Sequence, residues 1–136
     1  MNSSDAQTRQ TVLIPVSLGE LMDRISILEI KQQQMSDPGR LANVTRELAL
    51  LNGVLQQHGR SASDPRMAPL REVNKLLWEL ENRVRHLERD GVFGRQYVAI
   101  AREIHRSNDI RHELKRSISL DGDSLLVEEK EYSASP

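Results

Sequence analysis

Cysteine is absent from this 136-residue chain, and its absence excludes several kinds of chemistry at once. Disulfide bonds, zinc sites built from thiolates and cysteine nucleophiles all require that residue. The sequence also lacks a glycine-rich phosphate loop, a G-x-S-x-G nucleophile turn and an H-E-x-x-H zinc motif. Any reaction carried out by this chain must therefore use other groups.

Aromatic residues are scarce, at 3% of the chain, which favours packed amphipathic helices over a β-barrel or β-sandwich. No apolar run approaches the ~20 residues that a membrane-spanning helix needs. The first residues also lack the basic region and apolar core of a secretion signal. We therefore expect no membrane span and a cytoplasmic location.

Neither sign of charge dominates, because 19 Lys and Arg residues oppose 20 Asp and Glu residues for a net charge of -1. Such a balanced chain has no overall field that would attract nucleic acid or an anionic membrane. Arg95, Arg102 and Arg106 align along one predicted helix, but Asp109 and Glu113 interrupt this stripe and no aromatic residues lie between them. We therefore predict no nucleic-acid partner.

Four stretches repeat apolar residues at the three- and four-residue spacing of amphipathic helices. They are predicted at residues 18–35, 37–55, 70–88 and 93–118. A chain of this length forms one core, and short connections favour antiparallel neighbours. The predicted fold is mainly α, an antiparallel four-helix bundle. Its single domain covers residues 11–132, between a flexible leader at 1–10 and a flexible tail at 133–136.

Local signals support the first two helix starts and one further pairing. Ser17 and Glu20 form a capping box, and Asp37-Pro38 combines an N-cap residue with a first-turn proline. Short apolar runs lie outside the helices near both ends of the chain. Their pattern is compatible with a short two-stranded ribbon that pairs residues 11–16 with residues 125–131.

Several charged and amide residues fall where the helical pattern predicts apolar ones. Glu29 lies inside the apolar stripe of the first helix, and Glu81 lies at the edge of the third. In the fourth helix, Asn108, Arg111 and Lys115 share the sector of the buried isoleucines. Arg111 and Lys115 are like charges one turn apart, so a negative group should lie between them. Either Glu29 or Glu81 supplies it within a structural network, or a phosphate or carboxylate ligand does.

Two other clusters suggest metal binding, although a structural role is favoured for each. Glu20 and Asp23 are carboxylates one turn apart that could hold Mg²⁺, but acids in a first turn also oppose the helix dipole favourably. His105, Asp109 and His112 share one helix face at a spacing that zinc could use. That face lies away from the core stripe and is predicted to be solvated, so no metal site is assigned.

Three segments indicate membership of a known family. They are SLGELMDRISILEIK at residues 17–31, SNDIRHELKRSI at 107–118 and VEEKEY at 127–132. Together they resemble a family of short, helical bacterial proteins of uncharacterised function, over most of residues 12–132. The shared pattern includes Ser17, Gly19, Glu20, Asp23, residues 27–31, Asn108, Asp109, Arg111, Lys115, residues 128–130 and Tyr132. The resemblance implies no reaction, but it suggests a link to surface-polysaccharide biosynthesis.

Two functional hypotheses follow, and whether the chain is an enzyme stays open. The favoured hypothesis is a non-catalytic interaction or accessory module that binds a protein partner or itself, with Ile27, Ile30, Leu50 and Val54 as a second apolar face. It requires no cofactor. The alternative is the binding, or Mg²⁺-dependent processing, of a nucleotide or sugar nucleotide at an interhelical pocket. That pocket would comprise Glu20, Asp23, Glu29, Glu81, Asn108, Asp109, Arg111 and Lys115.

Overall fold

The computed structural model describes residues 9–132, which contain four α-helices and no strand. The helices are α1 (Leu18–Gln34), α2 (Pro38–Gln57), α3 (Met67–Arg89) and α4 (Arg95–Asp121). The predicted all-helical fold is therefore confirmed. The predicted leader at 1–10 and tail at 133–136 lie outside the described residues, apart from Arg9 and Gln10. No helix within 9–132 is both long enough and apolar enough to cross a membrane.

The helix starts that carry capping residues were predicted most closely. The Ser17 hydroxyl accepts a hydrogen bond from the Glu20 amide at 3.0 Å, and the Asp37 carboxylate accepts one from the Arg40 amide at 2.9 Å. Helices α3 and α4 begin without a side-chain cap. Their observed starts, at Met67 and Arg95, differ from the predicted starts at residues 70 and 93.

Helix α1 is the centre of the molecule, because it packs against each of the other three helices. Helix α2 packs against α1 alone, whereas α3 and α4 also pack against each other. Met22, Ile25, Leu55, Met67 and Leu70 are the large apolar side chains with the least exposure to solvent, and they form the middle of the core. Polar residues of α1 consequently lie in interfaces between helices.

The central position of α1 changes the assignment of two apolar residues. Ile27 and Ile30 were predicted to belong to an outer face for a partner. Instead, Ile30 is buried and both isoleucines line a groove against α3 and α4 within the chain. The assignment of Ile30 to an outer face was therefore wrong, because α1 carries apolar residues around more of its circumference than a single-sided helix does. Ile27 is half-buried at that groove.

A close approach joins the start of α1 to the end of α4. The Gly19 amide donates to the Ser119 hydroxyl at 3.0 Å. A Cβ atom on Gly19 would lie 2.8 Å from both the Lys115 carbonyl carbon and that hydroxyl, closer than real Cβ contacts allow. Glycine therefore permits the two backbones to touch, and this contact brings Lys115 to the acids of α1.

The predicted ribbon between the chain ends is wrong. Residues 11–16 have exposed apolar side chains and form no strand. The C-terminal segment, residues 125–132, is held mainly by side chains instead. The Glu128 carboxylate accepts hydrogen bonds from Ser17 and Ser119, each at 2.7 Å, and Arg116 donates to the Glu128 carbonyl at 3.0 Å. That carbonyl thus bonds to a side chain where a ribbon would need a strand partner.

Candidate functional site

Asp23 lies at the centre of a buried polar network that joins α1 to α3. Its side chain is almost fully buried and accepts a hydrogen bond from the Asn74 amide at 2.8 Å. The same amide donates to the Ser26 hydroxyl at 2.7 Å, and that hydroxyl donates to the Asp23 carbonyl at 2.7 Å. A buried carboxylate is costly unless it is hydrogen-bonded, and here it is. This network therefore has a structural role.

Lys115 completes that network from α4. Its Nζ atom lies 2.5 Å from a Glu20 oxygen and 3.7 Å from an Asp23 oxygen, and its side chain is only 14% exposed. The ammonium group thus occupies the position between the two carboxylates that a bound Mg²⁺ would need. The inward direction predicted for Lys115 is observed, and the acids that neutralise it are Glu20 and Asp23.

The Glu20 carboxylate is tuned by its surroundings. Partial burial raises its pKa, but hydrogen bonds from Arg24 and Lys115, together with their positive charges, outweigh that effect. The net result is a pKa below the ordinary glutamate value. Glu20 therefore stays ionised at neutral pH.

Arg111 differs from Lys115 because, among residues 9–132, no carboxylate lies within 4.0 Å of its guanidinium. Glu29 instead pairs with Arg71 at 3.1 Å, and Glu81 pairs with Arg85 at 3.5 Å. The expectation that Glu29 or Glu81 lies between Arg111 and Lys115 was therefore wrong. Glu29 reaches the first turns of α3, so it does not meet α4.

Arg111 borders a groove of about 730 Å³ between α4 and the C-terminal segment. We name it the cationic groove, and its walls are His105, Asn108, Asp109, Arg111, His112, Lys115, Lys130 and Tyr132. Three cations thus oppose one carboxylate in these walls. The groove gathers four of the eight predicted site residues, Asn108, Asp109, Arg111 and Lys115. Glu20 and Asp23 adjoin it through Lys115, whereas Glu29 and Glu81 lie elsewhere.

Lys130 brings the C-terminal segment to the groove. Its Nζ atom lies 2.5 Å from the Asp109 carboxylate and 5.4 Å from the centre of the Tyr132 ring. The hydrogen bond from Lys130 lowers the pKa of Asp109, and together with the positive charge of Lys130 it outweighs the opposing effect of desolvation. Asp109 is 66% exposed, and exposed ion pairs of this kind are weak. An anion in the groove can therefore compete for Lys130.

The two groove histidines were predicted to lie on a solvated surface. His105 is exposed and His112 is half-buried, and both border the cationic groove. Within the described range 9–132, no group of three or more His, Cys, Asp or Glu side chains is arranged to hold a metal ion.

Sequence reasoning missed the small polar residues of the network and the contribution of the C-terminal segment. Ser26 lies four residues from both Met22 and Ile30, so its place in the buried face of α1 was visible in the spacing. Lys130 and Tyr132 belonged to the family pattern but were not assigned to the site. They lie outside the helices, beyond the end of α4, and no helical pattern predicts where that segment folds.

The protein is thus an all-helical domain of four packed helices that carries the cationic groove on its surface. The chain belongs to a family of unknown function, DUF6165, whose family model matches residues 12–136. The resemblance noted in the sequence is thereby confirmed. No curated protein and no solved structure matches the chain.

Proposed function

We propose that this chain is a binding domain for a phosphorylated small molecule, which it holds in the cationic groove. The observation that carries the proposal is Arg111, a half-buried guanidinium that borders the groove without a carboxylate partner among residues 9–132. A guanidinium presents its N–H donors in a planar fork that matches phosphate oxygens. Phosphate is therefore the group that best completes this site.

The surrounding groove residues supply the remaining interactions. Asn108 and Tyr132 offer neutral donors, and Lys130 can leave the exposed Asp109 carboxylate for a ligand phosphate. Lys115 differs because Glu20 and Asp23 already neutralise it. Recognition thus depends on Arg111 and Lys130, whereas Lys115 maintains the wall between the groove and the core.

The proposal concerns binding, and Mg²⁺-dependent processing has less support. The acids Glu20 and Asp23 would be the metal ligands, but the Lys115 ammonium lies between them. A divalent cation would have to displace that ammonium from a pocket where Lys115 is largely buried.

A cytoplasmic location and a link to surface-polysaccharide biosynthesis stay predictions.

Calorimetric titration with inorganic pyrophosphate tests the proposal. We expect binding that weakens as salt concentration rises, and a higher melting temperature in the presence of the ligand. Arg111→Gln should raise the Kd about tenfold to 100-fold, since hydrogen bonds to a charged partner contribute about 1.5–3 kcal/mol. Because Arg111 has no ion-pair partner among the described residues, this variant should melt close to the parent protein.

Arg102→Gln is the matched control. Arg102 is exposed on the same helix and does not border the cationic groove, so its removal should leave the Kd within about twofold of the parent value. The proposal is wrong if the parent protein does not bind pyrophosphate. It is also wrong if the Arg111 and Arg102 variants bind pyrophosphate equally well.

A second candidate function is self-association, the non-catalytic interaction role predicted from the sequence. The observation in its favour is a set of exposed apolar side chains at the end of the bundle where α1 begins. Val12, Leu13, Ile14, Val54 and Leu125 all expose more than a third of their surface there. Exposed apolar patches of this kind are typical of protein interfaces.

A further inference from the structure

Arg111 borders a second cavity besides the cationic groove. This apolar groove measures about 360 Å³ and lies between α1 and α3. Its walls are Ile27, Ile30, Asn74, Leu77, Trp78, Glu81, Asn82, Arg85 and Arg111. The Arg111 side chain is thus part of the walls of both cavities, and a ligand that reached from one cavity to the other would contact it.

The apolar groove differs from the cationic groove in the chemistry of its walls. Ile27, Ile30 and Leu77 give it aliphatic sides, and Trp78 adds a half-buried indole ring. Polar groups are present as well, notably the exposed Asn82 amide beside the Glu81–Arg85 ion pair. The combination suits a planar ring that is apolar on its faces and carries hydrogen-bonding groups at its edge.

We propose that the ligand is a nucleoside diphosphate, with its phosphates at Arg111 in the cationic groove and its base against Trp78 in the apolar groove. This inference rests on the proposed function and specifies its ligand class. Bases stack on aromatic side chains, and amide side chains such as that of Asn82 form hydrogen bonds to base edges. A simple sugar phosphate lacks an aromatic ring, so it would leave the Trp78 contact unused.

Trp78 provides a direct measurement, because it is the single tryptophan of the chain. Its fluorescence should be quenched when ADP or UDP binds, and not when pyrophosphate binds. By calorimetry, at least one of the two nucleotides should bind at least about tenfold more tightly than pyrophosphate, owing to base stacking. Free N-acetyltryptophanamide under the same conditions corrects for light absorption and collisional quenching by the nucleotides.

Variants at position 78 separate stacking from phosphate binding. Trp78→Leu should remove the preference for the nucleotide over pyrophosphate while leaving the pyrophosphate Kd within about twofold of the parent value. Trp78→Phe retains an aromatic face and should keep part of the preference. Arg111→Gln, in contrast, should weaken the binding of both compounds. Circular dichroism of each variant verifies that its helices are intact before titration.

The outcomes distinguish this inference from the proposed function. If pyrophosphate binds through Arg111 but neither nucleotide binds more tightly or quenches Trp78, the nucleotide inference fails and the proposed function stands. If pyrophosphate does not bind, the proposed function fails, and the nucleotide inference that rests on it fails as well. If a nucleotide binds and Trp78→Leu keeps its full preference, the base does not lie against Trp78 and the inference fails.

Discussion

Gly19 shows how one missing methyl group sets the distance between two helices. Its position at the contact with α4 leaves no room for a Cβ atom, because the Lys115 carbonyl group and the Ser119 hydroxyl already fill that space. At this point the distance between α1 and α4 is limited by backbone atoms of the two helices. The resulting close approach is what allows a lysine of α4 to reach two carboxylates of α1.

Replacing Gly19 with alanine should therefore destabilise the fold. Overpacking of a tight contact costs about 1–3 kcal/mol, and here the obstacle is backbone that cannot rotate away. Gly53→Ala is the matched control, because a Cβ atom there meets nothing within 4 Å. In the interior of α2, that change should stabilise the protein by about 0.5–1 kcal/mol. Urea denaturation measures both, and opposite signs are expected.

Glu20 predicts how stability depends on pH. Its pKa is lower in the folded protein than in the unfolded chain, so it contributes stability at pH values above the unfolded pKa of about 4.3. That contribution is lost as the pH falls through the folded pKa. Glu20→Gln should therefore lose less stability than the parent protein between about pH 5 and pH 3. Thermal melts across that range measure the difference.

Glu79→Gln is the control for this effect. Glu79 lies on the exposed side of α3 and forms no ion pair or side-chain hydrogen bond within residues 9–132. Its variant should follow the parent profile. A Glu20→Gln profile that also follows the parent would show that the contact between Glu20 and Lys115 does not stabilise the fold.

For single residues, the sequence predicted the direction in which the Lys115 side chain points, but not the carboxylates that lie next to it. The helical wheel placed Lys115 on the inner side of α4, and its side chain is indeed largely buried there. The wheel gives an angle around one helix and says nothing about which turn of a neighbour lies opposite. Glu29 was therefore chosen as a partner because it faces inward, although it lies beside Arg71 at the other end of the interface.

At the scale of elements, the helices were predictable and the C-terminal segment was not. Apolar periodicity is a local property, so each helix could be identified from its own residues. The path of residues 125–132 depends on the hydrogen bonds of Glu128. One bond joins it to Ser119, nine positions away, and the other joins it to Ser17, more than 100 positions away. No short-range pattern encodes such contacts. The short apolar run in this segment therefore suggested a β-ribbon, whereas side-chain hydrogen bonds hold the segment in place.

Glu128→Ala should loosen the C-terminal segment and destabilise the start of α1. The carboxylate satisfies two hydroxyl groups, one of which caps α1, and hydrogen bonds to charged groups contribute about 1.5–3 kcal/mol. Amide hydrogen exchange should rise in residues 17–21 and 125–132, with a lower melting temperature. Glu131→Ala is the control, since that exposed residue forms no side-chain bond within 9–132. Equal exchange in the two variants would contradict the anchoring role of Glu128.

At the scale of the whole molecule, the arrangement follows from the unequal burial of the helices. Eight residues of α1 are buried, against three of α2, so α1 occupies the centre and α2 covers one side of it. The sequence predicted four helices because their periodicity is clear. It did not predict which helix is central, since that depends on how the apolar surfaces of all four match.

The exposed apolar end of the molecule predicts self-association. Leu13 and Leu125 are 91% and 96% exposed, and Val54 lies in the same surface hollow as residues 14–16 and Leu125. Burying such side chains is favourable by about 25 cal/mol per Å², so two copies of the chain should associate through this end. Light scattering after size exclusion should therefore give a mass that rises toward a dimer with concentration.

Substitution of the exposed leucines decides whether that end is the interface. Leu13→Lys combined with Leu125→Lys should keep the protein monomeric at every concentration, because association would then bury two unpaired charges on each copy. Leu76→Lys is the matched control, since Leu76 is 43% exposed on α3, away from the hollow. A parent protein that stays monomeric would exclude self-association, and a dimer that survives the double substitution would place the interface elsewhere. Pyrophosphate binding by the monomeric variant should equal that of the parent, because the cationic groove shares no residue with this end.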